Sequence, residues 1–290
     1  MEPSDALHTL DTFRHSFYRC FHRRADALFE LTDALLTADT VPSPVHLSLE
    51  ALHRRGWGGL YAALDRGQID AEALRGLLVR HPLAGSGTTT PVYAVDVSVW
   101  DRCDAEASPE RGFYYHPSRH SAGQPIVVGT LASVEVERLP RGERRREPRV
   151  LWLWWHGPEG ETPNLSLLWR AYVRRFDLEH TFRFLKQALG WTTPRVRHPE
   201  QADRWTWLVM AAFTQLRLAR GCVADRRLPW ERRYDTGRLT PIRVHRVVSA
   251  LLAQLGTPAK PPKPCGRSPG RPKGRLSGRA KRYPALKKVA

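Results

Sequence analysis

Four residues in the segment Tyr172-Val-Arg-Arg-Phe-Asp-Leu-Glu-His-Thr-Phe-Arg-Phe-Leu-Lys186 have types and spacing suited to work on a phosphodiester. On a helix turning about 100° per residue, with Tyr172 at zero, Arg175, Glu179 and Lys186 fall at roughly −60°, −20° and −40°. All four share one narrow face. A carboxylate with an arginine one turn before it and a lysine about two turns after it makes a metal ligand flanked by cations that could hold phosphates. The same spacing also fits a solvated helix face carrying ordinary ion pairs.

A second acid stands out in Tyr93-Ala-Val-Asp-Val-Ser98, an apolar run broken only by Asp96. An aspartate in a buried strand costs several kcal/mol unless it is paired or bound to metal. Asp96 is therefore either a residue at an exposed strand end or a ligand. His116 and His120 are four apart, but Pro117 between them argues against a helix and hence against a zinc pair. The four cysteines, Cys20, Cys103, Cys222 and Cys265, are too far apart in sequence for a CxxC motif. Neither a disulfide framework nor a zinc knuckle is indicated.

The spacing Tyr172, Arg175, Glu179, Lys186 resembles the tyrosine-arginine-glutamate-lysine pattern of a group of bacterial DDE insertion-sequence transposases. The wider stretch Phe176 to Trp191 and the segment Tyr115 to Pro125 are similar to that family as well. The resemblance implies a ribonuclease H-like fold in which Asp96 is the first catalytic carboxylate and Glu179 the third. Both would ligate Mg²⁺, while Tyr172, Arg175 and Lys186 would bind the DNA of the element end. One part of the family plan is missing: no helix and strand bearing a second aspartate can be found before Glu179. Asp101 and Asp104 follow Asp96 too soon, and Asp177 lies on another face of the Glu179 helix. An internal loss near Ile126 to Thr130 accounts for this. Two carboxylates poorly neutralise two divalent ions, so the expectation is an impaired enzyme. The alternative is a non-catalytic DNA-binding remnant that competes for element ends.

The elements that must position these residues are read from periodicity. Phe17, Phe21, Leu28, Leu31 and Leu35 form one stripe of a helix ended by Pro42 and Pro44. Shorter helices are expected near Leu60 to Leu64 and after Asp70, an N-cap, and Gly85 to Thr90 reads as a linker. Short β-rich runs follow from Val92 to Trp155, the last two forming a hairpin from Ser133–Leu139 and Val150–Trp155. A long helix is expected from Thr162-Pro163 to Gly190, then helices over Pro199 to Arg220 and Thr240 to Gly256. The fold class is thus α/β: a truncated ribonuclease H-like mixed sheet with flanking helices over 91–256, preceded by an all-helical domain over 1–84. Residues 257–290 should form a disordered basic tail.

Charge points to the partner. The 290 residues carry 46 Lys plus Arg against 29 Asp plus Glu, a formal net charge of +17. Such an excess suits a polyanion, and double-stranded DNA leads. Eleven of the basic residues lie from Lys260 onward, with no acid among them. Within that tail Arg271, Lys273 and Arg275 sit in Pro269-Gly-Arg-Pro-Lys-Gly-Arg275, which resembles the core of a minor-groove AT-hook, although a tail that only contacts phosphates fits too. The aromatic-rich middle, Trp152 to Trp207, reads as packing first and base stacking second. No run spans a bilayer and no signal peptide is evident, so a cytoplasmic location is expected. A homo-oligomer on DNA is compatible with the sequence, which does not specify it.

Overall fold

The computed structural model describes residues 3–81, 130–135, 150–155, 157, 160–263 and 282. They are mostly helical, with two small two-stranded antiparallel sheets. The chain divides into two compact units, and the division falls within one helix, between His180 and Thr181.

The first unit starts with α1 (Pro3–Arg19), whose Ala6, Leu10, Phe13 and Phe17 recur at three and four residues and are fully buried. A single helix through Leu35, as the apolar stripe suggests, is not what forms. The chain leaves α1 at Cys20, runs extended through β1 (Phe21–Arg23) and turns at Arg24, whose φ of 56° is left-handed. Only then does α2 (Ala25–Thr37) begin. The break is held by β2 (Gln68–Ile69), which pairs antiparallel with β1, and by the Asp70 N–H donating to the Cys20 carbonyl at 2.8 Å. Phe17, Phe21, Leu28, Leu31 and Leu35 are all buried nonetheless, so the stripe identified the core and not the helix.

Between β1 and β2 lies α3 (Trp57–Arg66), and α4 (Ala71–Val79) follows. The expected Asp70 cap is present, its carboxylate accepting the Ala73 N–H at 2.9 Å. Gly67 closes α3 where a Cβ would lie 2.3 Å from the Ala63 carbonyl oxygen, so no larger residue fits. Helix α2 is buried at every position from Ala27 to Leu36, which makes it the axis of the unit. Against it pack α6 (Pro199–Leu218) and α8 (Val248–Leu255) from the far end of the chain. The helices of 3–81 and those of 199–255 therefore share a single core.

Two further differences have local causes. The helix expected over Thr240 to Gly256 is interrupted at Arg246 and Val247, giving α7 (Pro241–His245) and then α8. Residues 257–263, expected to be disordered, are anchored instead. Ala259 is buried, the Lys260 N–H donates to Asp26 at 2.9 Å, and Arg54 and Arg55 each donate to a carbonyl of the segment at 2.8 Å. Apart from Arg282, the tail beyond 263, with Arg271, Lys273 and Arg275, lies outside the described residues.

In the second unit β3 (Thr130–Glu135) pairs antiparallel with β4 (Val150–Trp155), in the register Thr130 to Trp155 and Glu135 to Val150. This is the expected hairpin, with its first strand starting earlier than Ser133. The earlier strands, the linker and any loss near Ile126 lie outside the described residues.

Candidate functional site

The long helix α5 (Leu165–Gln187) carries the candidate site. It begins later than the Thr162-Pro163 signal suggests, because Asn164 is the better cap: its side chain accepts the Leu167 N–H at 3.1 Å. Its end is as expected. The Trp191 N–H returns to the Leu185 carbonyl at 2.9 Å, and Gly190 takes a left-handed φ of 60°. A Cβ at Gly190 would come within 2.7 Å of Val41, so glycine is required for space as well as for dihedral angle.

Helix α5 includes Tyr172, Arg175 and Glu179, which belong to the second unit, and Lys186, which belongs to the first. Glu179 is exposed, and Tyr172 is half-buried. The Tyr172 ring stacks on Trp169 at 6.0 Å and meets Phe176 edge-on at 6.2 Å. The Lys186 ammonium lies 5.9 Å from the centre of the Phe182 ring. Asp96 lies outside the described residues. Among the described residues no three His, Cys, Asp or Glu side chains gather in a way that could hold a metal ion. Cys20 and Cys222 are both free thiols.

A second charged feature went unrecognised in the sequence. The loop Asp225 to Tyr234 carries Arg226, Arg227, Arg232 and Arg233 around Trp230, which is 80% exposed. It is tied down by its own acids. Arg243 donates to Asp225 at 2.9 Å, and Arg246 donates to both oxygens of Glu231 at 2.9 and 2.7 Å. Hydrogen bonds from Arg246 and from the Leu228 N–H hold the Glu231 carboxyl down to about 2, from an ordinary 4.5. The signal was legible as two Arg-Arg pairs bracketing Leu-Pro-Trp-Glu.

No helix among the described residues is long and apolar enough to cross a membrane. No curated protein and no solved structure matches the chain. Residues 16–147 do match a protein family described as DDE superfamily endonuclease. The matched span runs from within α1 through α2, α3, α4 and β3, includes Asp96, and stops before α5. That match, over somewhat less than half of the chain, supports a DDE-class, transposase-like protein.

Proposed function

We propose that the chain is a DNA-binding protein derived from an insertion-sequence transposase, with strand cleavage impaired. The observation that supports this reading is the match of residues 16–147 to DDE endonucleases, in a chain where Tyr172, Arg175 and Glu179 follow one another on a helix. On this reading Arg175 and Lys186 hold phosphates on either side of Glu179, and Tyr172 donates to the DNA backbone. Asp96 would be the companion of Glu179, on a reduced ribonuclease H-like sheet within residues 91–256. The helices of 1–84 and the basic tail, with Arg271, Lys273 and Arg275, would add contacts to double-stranded DNA.

In the intact chemistry Mg²⁺ would supply charge to activate the attacking hydroxyl and stabilise the leaving oxygen. Asp96 and Glu179 would hold the ion, and of the two only Glu179 lies among the described residues. On this reading α5 contributes placement of DNA.

The test is a cleavage assay with Mg²⁺ or Mn²⁺ on a duplex carrying the inverted repeats that flank the gene. No nicking above a Glu179→Ala control is expected. Robust nicking abolished by that substitution would overturn the impairment and show that another acid completes the site. In the same preparation Arg175→Ala with Lys186→Ala should weaken duplex binding several-fold. Unchanged affinity would remove α5 from the DNA interface.

A further inference from the structure

The loop Asp225 to Tyr234 combines three properties that ordinary surface loops do not share. Its tip is a closed turn, in which the Glu231 N–H donates to the Leu228 carbonyl at 3.0 Å, with Pro229 and Trp230 at the two central positions. Proline at the first of these fixes φ, so the turn is formed before anything binds. Second, the tip residue is an indole with 80% of its surface exposed, which no core packing explains. Third, the acids are already committed, Asp225 to Arg243 and Glu231 to Arg246. Among the described residues the side chains of Arg226, Arg232, Arg233 and Arg238 have no hydrogen-bond or ion-pair partner.

Two clefts meet at the base of the loop. One, of about 550 Å³, is lined by Ala224, Asp225, Arg227, Arg233, Tyr234 and Asp235. The other, of about 220 Å³, is lined by Arg232, Arg233, Tyr234, Asp235 and Arg238. Arginine outnumbers acid in the smaller cleft by three to one, with Asp235 as the acid. Tyr234 is braced by the Arg243 guanidinium 4.6 Å from its ring centre, so the wall of both clefts is rigid.

We propose that this loop binds single-stranded DNA, with Trp230 stacking on an unpaired base and Arg226, Arg232, Arg233 and Arg238 taking the neighbouring phosphates. A base offers its flat face only when unpaired, whereas phosphates are present in any nucleic acid. The exposed indole therefore selects for a single strand, and the arginines supply charge without sequence preference. Because the turn is closed in advance, little loop entropy is lost on binding. The inference requires neither metal nor Glu179, so it stands or falls separately from the cleavage reading.

The experiment measures binding of the full chain, in EDTA, to a labelled oligodeoxythymidylate, to a duplex of equal length and to the matching ribo-oligomer. Trp230→Ala should weaken single-strand binding about tenfold, leave duplex binding unchanged and leave the salt slope intact. Trp230→Phe should keep most of the affinity. Arg232→Ala with Arg233→Ala should instead reduce the slope of log affinity against log salt by about 0.7 per lost phosphate contact. Since Trp230 packs in no core, circular dichroism should show both Trp230 variants folded. Equal binding by wild type and Trp230→Ala would overturn the proposal, as would equal losses on single strand and duplex. A Trp230→Ala variant that only disperses a self-associated form would make the loop a protein interface instead. Tighter, Trp230-dependent binding of the ribo-oligomer would overturn the assignment to DNA.

Discussion

Arg14 brings a guanidinium into the middle of the first unit with 1% of its surface exposed. Its two terminal nitrogens donate to the two oxygens of Asp33 at 2.7 and 2.9 Å, and further to Gln215 at 2.8 Å and the Gly256 carbonyl at 3.1 Å. The ring of Phe29 lies 4.9 Å away. One side chain thus ties together α1, α2, α6 and the end of α8. Removing one member of a buried pair strands the other, which costs about 3–5 kcal/mol. Asp33→Ala should therefore lower the urea midpoint sharply at unchanged slope, while Asp33→Leu combined with Arg14→Met should recover much of the loss. A single-mutant cost below about 1 kcal/mol would mean that water reaches Arg14 and that the pair does not organise the core.

At the scale of elements, the loop of Trp230 depends on a single carboxylate. The ordinary pKa of 4.5 for Glu231 falls to about 2 in the folded chain, so its contribution is complete above the ordinary value and is lost as pH falls toward the lower one. The Leu228 N–H donates to Glu231 at 2.9 Å, and its NMR resonance should titrate with a midpoint near 2. A midpoint at the ordinary carboxylate value would show an open turn. Helix ends behave as local devices too: Gly190→Ala must place a side chain at a φ of 60° against Val41, at a cost of about 1–2 kcal/mol or more in thermal unfolding. These termini were legible, because Asp70, Gly190 and Pro199 act through their own backbone chemistry. The breaks at Cys20–Arg24 and Arg246–Val247 were not, because the apolar spacing runs straight across them and long-range packing makes the decision. Glu179 could be found because its neighbours on α5 are local in sequence. The loop arginines were not legible as a candidate site because Asp225 and Glu231 are their neighbours in sequence, whereas those acids pair in space with Arg243 and Arg246.

For the molecule as a whole, the anchoring of residues 257–263 changes how its tail should be tested. Truncation after Thr257 would remove Ala259 from the core and the Asp26, Arg54 and Arg55 bonds with it, so lost binding and lost stability would be confused. Truncation after Lys263 removes nine basic residues and none of those contacts. It should flatten the salt dependence of duplex binding while keeping the contacts of residues 257–263. An unchanged slope would place the electrostatic anchor on the folded part of the chain.

Because α2 packs against α6 and α8 as well as against α1 and α3, part of its apolar surface has no cover until the ribosome has made residues far downstream. At roughly 5–20 residues per second, about 10–40 s separate the synthesis of Thr37 from that of Leu218. Throughout that interval the α6-facing side of α2 stays uncovered on the nascent chain, and a ribosome stalled before α6 would hold a substrate for holdases and proteases. Yield of the protein in a cell should therefore respond to codon usage between α2 and α6 more than to codon usage after α8.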